Sequence, residues 1–183
     1  MAEEDISIIA AGTDELERNI GELANLLHAC VHAGASVGFI LPFALSEAEA
    51  FWRSKVLPGV ATERRILLIA LDGARIVGTV QLGHDTPANQ PHRADVSKLL
   101  VHPDRRRRGI ARRLMSELET YARSLRRSLL TLDTRTGDMA EPLYSSMGYQ
   151  TAGFIPNYCQ DPFEPKLDAT TVMYKNLQEV QSG

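Results

Sequence analysis

The stretch VHPDRRRRGIARRLM, residues 101–115, decides how this chain is read. Four consecutive arginines, Arg105 to Arg108, are followed by Gly109 and then by Arg112 and Arg113. Alone, such a run suits a nucleic-acid patch, a nuclear address or a solvated face. Its flanks point elsewhere. ADVSKLLVHP leads in as a strand, and Ile110, Leu114, Leu118 and Leu125 recur at helical spacing on the way out, which predicts a helix over about 108–125. The arginines therefore stand at a strand-to-helix turn. The first N–H groups of a helix lack an intrahelical acceptor, and the helix dipole adds about half a positive charge there. A phosphate or pyrophosphate fits such a place. Gly109 has no Cβ and lets the backbone approach the anion, Ala111 is small one step on, and Arg106, Arg107 and Arg108 put charge around the rim. Arg105, Arg112 and Arg113 read as a solvated face.

Outward from this turn, the chain alternates strands and helices. ISII at 6–9 predicts an edge strand. Thr13 or Asp14 opens a helix to about His32, with Leu16, Ile20, Leu23, Leu27 and Val31 on one face. GASVGFILPF at 34–43 reads as a Gly-rich loop with apolar anchors. Ser46 followed by Glu49 is the capping-box pattern of a second helix, through Trp52 to about Val56. RRILLIAL at 64–71 and RIVGTVQLGH at 75–84 pair as a hairpin across Asp72-Gly73. After a polar connection at 86–92 comes the strand into the arginine run, then a strand SLLTLDT at 128–134 and a short helix over about 138–147. YQTAGFI (149–155) and ATTVMYKNL (169–177) close the chain as strands. The order β-α-α-β-β-β-α-β-α-β-β predicts one α+β domain over residues 1–183, with no repeat or linker.

Bulk properties narrow the function. With 44% hydrophobic and 23% charged residues, the chain can bury a sizeable core without a metal or disulfide. Its net charge is −3, and the basic stretch has no interleaved aromatics, so nucleic acid is not an expected partner. Cys30 and Cys159 alone give no disulfide framework and fit a reducing cytosol. The start, MAEEDISII, is acidic where a signal peptide is basic. No apolar run approaches the ~20 residues that span a bilayer. A cytoplasmic protein without a membrane partner is expected. His28, Cys30 and His32 lack a third ligand at metal spacing, and no glutamate follows His28 as in H-E-x-x-H, so no metal is expected.

Arg106, Gly109 and Ala111 make the pattern R-x-x-G-x-A, and L-Y-S-S-M-G-Y at 143–149 follows the next strand. Together, in this order and between these elements, they resemble the two signatures of the GCN5-related N-acetyltransferase (GNAT) family. The resemblance implies an acetyl-CoA-dependent N-acetyltransferase whose coenzyme pyrophosphate sits on Arg106 to Ala111, Ile110 included, with the outlying arginines near its 3′-phosphate. It implies a mixed, mostly antiparallel sheet of about seven strands flanked by about four helices. One departure stands out: where the family often carries an asparagine that contacts the coenzyme, this chain has Gly137. HAGASVGF at 32–39, LDT-x-x-G at 132–137 and NYC at 157–159 look further like the tabtoxin-resistance acetyltransferases, which act on a small amino-acid toxin.

The residue roles follow from that resemblance. Leu99, Leu100 and Val101 are placed along the pantetheine arm, with the Val101 N–H polarising the thioester carbonyl. Tyr144 is the candidate acid, since a phenol near pKa ~10 can return a proton to a thiol near ~8.5. Asp95, six residues before Val101, matches the place of a catalytic glutamate in several members, and Asp133 ends the next strand; either carboxylate can take the amine's proton or bind the ammonium. Phe39 and Phe43 are expected to anchor the substrate roof, with Tyr158 and Cys159 on the opposite wall. Direct transfer needs no cysteine nucleophile. A small-molecule amine is the expected acceptor. A protein or peptide acceptor and a non-catalytic acyl-CoA sensor are the alternatives. Family members are often dimers, so the resemblance admits a homodimer.

Overall fold

The apolar runs zip into a single sheet. The computed structural model describes residues 6–177. Its strands are β1 (Ile6–Ala10), β2 (Arg65–Asp72), β3 (Arg75–Gly83), β4 (Arg93–Val101), β5 (Leu129–Arg135), β6 (Gln150–Gln160) and β7 (Leu167–Asn176), in the spatial order β1-β2-β3-β4-β5-β7-β6. Neighbours are antiparallel except β4 and β5, which are parallel and joined through the crossover helix α5 (Ile110–Ser124). This is the α+β fold the sequence predicts.

The helices fall into four segments. In the first, α1 (Thr13–Arg18) and α2 (Ile20–His32) replace the single helix predicted from Thr13 to His32. Asn19 interrupts it: its side-chain amide donates to the Glu15 carbonyl at 2.8 Å, competing with the backbone. In the second, α3 (Leu45–Phe51) passes through a π-helical turn (Trp52–Val56) into α4 (Leu57–Ala61), where Pro58, which has no N–H, sits at the change of register. Its cap differs from the predicted Ser46–Glu49 box. The Glu47 carboxylate accepts the Ala44 N–H at 2.8 Å, and Ser46 lies within the first turn. The third segment is α5 and the fourth α6 (Ala140–Ser146).

Both sheet faces are covered, which is why β2 reads as a continuous apolar run. Leu68, Val80, Val96 and Leu130 pack with Leu114 and Leu118 of α5. Leu67, Ile69 and Ile76 pack on the other face with Leu23, Leu27 and Trp52. Strand β4 changes faces partway. Gln81 pairs with Ser97 and Thr79 with Leu100, so β4 spends one residue more than β3 over that span. The extra residue forms a bulge in which Lys98 takes φ +52°. Ala94 and Val96 belong to the α5-side core, whereas Leu100 has crossed to the other. The Thr79 hydroxyl fixes the bulge by donating to the Lys98 carbonyl at 3.1 Å.

The β6–β7 hairpin runs longer than predicted, because Pro156, Asn157 and Tyr158 loop out within it. Ile155 pairs with Thr170 and Cys159 with Asp168, and Asn157 takes φ +54°. No helix among the described residues is long and apolar enough to cross a membrane.

Gly78 admits the start of α5 against the sheet. A Cβ there would lie 3.0 Å from the Leu100 carbonyl, 3.1 Å from Leu114 and 3.2 Å from Ile110. Gly78→Val is expected to destabilise the fold by about 1–3 kcal/mol through overpacking. Denaturant unfolding measures it, and an unchanged midpoint would contradict this account of the β3–α5 contact.

Candidate active site

Strands β4 and β5 are paired only from Arg93↔Leu129 to Asp95↔Thr131. Beyond Asp95 they separate, and the gap between them is a cavity of about 920 Å³, the size of a small-molecule site. Residues 96–101 of β4 form one wall and Asp133, Thr134 and Arg135 of β5 the other. The start of α5 lies at one end, α6 contributes Tyr144, and residues 33–38 together with Tyr158 and Cys159 close the other side.

The arginine turn forms one end of this cavity. Arg107 takes φ +62° and Gly109 φ +74°, two left-handed residues that swing the chain into α5. Gly109 is the N-cap, and no side chain caps the helix. A Cβ on Gly109 would meet nothing within 4 Å. The first amides of α5 therefore adjoin open space, flanked by Arg106, Arg107 and Ala111, all of which line the cavity with Ile110. Arg108 does not line it. Of the remaining arginines, Arg112 and Arg113 are exposed, as expected of a solvated face, whereas Arg105 is half-buried, and Arg105 and Arg112 also line the cavity. Arg105 Nε donates to Asp72 Oδ2 at 2.9 Å, Arg112 Nη2 to Ser146 Oγ at 2.6 Å, and Arg113 Nη2 to the Ile6 carbonyl at 2.5 Å. They brace the turn against β1, β2 and α6.

Leu99, Leu100 and Val101 all line the cavity. The Val101 carbonyl is approached by Cys30 Sγ at 3.5 Å and Arg106 Nε at 3.4 Å, on the side away from β3. On the β3 side it is His102 N–H that donates, to the Val77 carbonyl at 2.9 Å. Because N–H and C=O of one strand residue point to the same side, the Val101 N–H faces the cleft.

Asp133 and Tyr144 both reach the cavity. Asp133 Oδ2 accepts the Thr170 hydroxyl at 3.2 Å. Tyr144 is 6% exposed, and burial, reinforced by Asp138 and Asp133, pushes its phenol well above the usual tyrosine range. The expected match between phenol and thiol therefore gives way to a phenol that holds its proton firmly. Asp95 stands apart. It occupies the last paired rung, bonded to Arg93 and accepting the Thr131 hydroxyl at 2.5 Å, and it does not line the cavity. Phe39 also lies outside it, in an aromatic cluster with Phe43, tilted at 4.6 Å, and Phe51, edge-on at 5.3 Å between ring centroids. Of the four residues expected around the substrate, Tyr158 and Cys159 line the cavity and Phe39 and Phe43 do not. His28 and His32 stack at 4.0 Å, and among the described residues no group of three or more ligating side chains gathers for a metal.

Two residues of the cavity escaped the sequence. Arg135 bonds the Gly34 carbonyl at 3.2 Å and Asp161 at 3.3 Å, tying the 33–38 roof and the β6–β7 hairpin to β5. Lys98 projects from the bulge and donates to the Val37 carbonyl at 2.8 Å. A lone lysine within the apolar run ADVSKLLV was the available signal.

An uncapped helix start that opens into a cleft holding a carboxylate, a phenol and an unpaired strand edge defines an acyl-transfer enzyme of the N-acetyltransferase class. Residues 29–149 match the model of the acetyltransferase (GNAT) family, and the chain belongs to that family. It is 33% identical over 127 residues, covering 67% of this chain and 73% of the other, to an uncharacterized N-acetyltransferase of the hisH-hisA intergenic region of Azospirillum brasilense. The fold is shared with a putative phosphinothricin N-acetyltransferase (TM-score 0.78, 16% identity, 96% of this chain and 100% of that one). It is shared too with yncA, a putative acetyltransferase from Salmonella typhimurium solved with acetyl-CoA (TM-score 0.74, 17% identity, 97% and 96%). A ribosomal-protein-alanine N-acetyltransferase from Brucella melitensis is similar as well (TM-score 0.74, 22% identity, 93% and 99%).

The two cysteines of the cavity wall differ in reactivity. Cys30 is 1% exposed, and burial pushes its thiol up to about 11 despite the nearby Arg106. Iodoacetamide at pH 8 is expected to modify the partly exposed Cys159 and to leave Cys30 intact in the folded protein. Peptide mass mapping measures this, and rapid labelling of Cys30 would contradict the packing of α2 on β4.

Proposed function

We propose that this N-acetyltransferase moves the acetyl group of acetyl-CoA to the amine of a small, amino-acid-like molecule such as a toxin or antibiotic, by direct transfer. The observation that carries the reading is the roof over the acceptor half of the cavity. Lys98 Nζ holds the Val37 carbonyl and Arg135 holds the Gly34 carbonyl. A peptide acceptor needs an open groove; a roofed cleft suits a small one. The stretches at 32–39, 132–137 and 157–159 that resemble the tabtoxin-resistance acetyltransferases all contribute residues to this half, including Gly38, Asp133 and Tyr158. That Asp133 and Tyr144 share one cavity favours chemistry over sensing.

The residues fit the coenzyme. The uncapped amides of α5, the open space beside Gly109, and Arg106 and Arg107 suit a pyrophosphate, and the unpaired edge of β4 at Leu99 and Val101 suits an amide-bearing arm. When bound, acetyl-CoA supplies the acetyl thioester, so that one C–N bond forms and one C–S bond breaks. Asp133 accepts the proton that the ammonium must lose, directly or through water. The Val101 N–H donates to the carbonyl oxygen as it gains charge. Tyr144 donates its O–H toward the departing sulfur; with its proton firmly held, it stabilises the thiolate chiefly as a hydrogen-bond donor. Asp95 is assigned no direct step, since it is committed to Arg93 and Thr131 outside the cavity.

Acetyl-CoA consumption screened across amino acids, amine antibiotics, polyamines and peptides tests the reading. Turnover of small amines is expected, and turnover of peptides alone would contradict it. Tyr144→Phe is expected to lower kcat by about a hundredfold while keeping the rise in Tm caused by acetyl-CoA. Gly109→Trp, filling the space beside the α5 amides, is expected to lose that rise. The reverse pattern would exchange the roles given to the two residues.

A further inference from the structure

Lys98 is an unusual occupant of a β-strand. It takes a left-handed φ of +52° without being glycine, at the bulge that parts β4 from β5. Its side chain is half-buried and lines the cavity beside Ser97 and Leu99. The ammonium has three N–H donors and makes one hydrogen bond, to the Val37 carbonyl at 2.8 Å. Among the described residues no carboxylate lies within ion-pair distance of it, and Asp133 acts on it only from across the cleft. The Phe51 ring sits 5.7 Å from Nζ, covering one side with apolar surface.

The charges acting on this ammonium do not balance. Burial disfavours its charge, Arg65 reinforces that effect, and Asp133 on the opposite strand opposes it. Arg65 is itself partly buried, with its Nη1 donating to Gln81 Oε1 at 2.5 Å. Lys98 and Asp133 therefore line the cleft from its two strands, with Arg65 outside the cavity and bonded to Gln81. A buried ammonium with unused donors is costly unless an anion meets it. A structural lysine would carry its partner within the protein; the Lys98 side chain instead lines the cavity.

We propose that Lys98 is the specificity-determining residue for the acceptor: it binds the carboxylate of a small molecule that carries a carboxylate beside the amine to be acetylated, while Asp133 on β5 takes the ammonium. The inference rests on the small, amino-acid-like acceptor read above and sharpens it by assigning the residue that selects the acceptor's carboxylate. The two charged ends of such an acceptor meet opposite charges on the two diverging strands.

Matched pairs of α-amino acids and their α-carboxamides, assayed with acetyl-CoA, test this. The wild type is expected to prefer the carboxylate member by about tenfold or more in kcat/KM, as for a hydrogen bond to a charged group. Lys98→Gln keeps a donor for the Val37 carbonyl and removes the charge. It is expected to bring the ratio close to one, through the KM of the carboxylate member, and Lys98→Arg is expected to restore most of it. Circular dichroism melting of each variant separates loss of fold from loss of preference. A wild type that acetylates carboxamides as well as acids overturns the role of Lys98 and leaves the small-amine reading standing, as does a ratio unchanged in Lys98→Gln. Turnover of peptides alone overturns both.

Discussion

The bulge at Lys98 is the constraint on which the rest depends. A parallel pair held in register would continue to bond past Asp95, and no cleft would form. The extra residue in β4 breaks that register. It sends Leu100 to the opposite core from Val96, turns the Val101 N–H into the gap, and leaves the end of the strand anchored on one side only. Thr79 and Gly78 of β3 stabilise the arrangement from behind, the first by its bond to the Lys98 carbonyl and the second by giving room to α5. A non-glycine residue kept at positive φ costs free energy, on the order of 1–2 kcal/mol. The surrounding pairing offsets that cost, and what it secures is an open strand edge next to a helix start.

Electrostatics in the cleft divides into two halves. At one end, uncapped amides and the four arginines Arg105, Arg106, Arg107 and Arg112 form a positive cradle in a protein whose net charge is −3. At the other, Lys98 and Asp133 stand on diverging strands with opposite charges. Arg105, Arg112 and Arg113 also hold the turn, each to a different element. The run that looks like a polymer-binding patch thus divides between bonds to neighbouring elements and the cleft lining, and Arg105 and Arg112 serve both.

Much of this was legible in the sequence, because periodicity and glycine placement are local. Alternating apolar runs marked the strands, and Arg106, Gly109 and Ala111 marked the cradle. Tyr144 and Asp133 were reachable because each lies at a fixed offset from a strand or a glycine. What failed was what depends on register. Asp95 has the right spacing from Val101, yet it sits on the last paired rung, where Arg93 and Thr131 claim it. Phe39 is in the right loop, yet an aromatic cluster draws it away from the cavity. Lys98 was overlooked because a bulge has no sequence signature of its own beyond a misplaced polar residue. The break at Asn19 arises from a side-chain amide that chooses a backbone carbonyl, a choice invisible to periodicity.

The central claim is that the coenzyme is held by the parted edge of β4 and the uncapped start of α5. Hydrogen–deuterium exchange with and without acetyl-CoA measures both at once. Slowed exchange is expected at the amides of Val101 and residues 110–112, with the paired rungs from Arg93 to Asp95 unchanged. Protection confined to other segments, with those amides exchanging as in the free protein, would contradict the account.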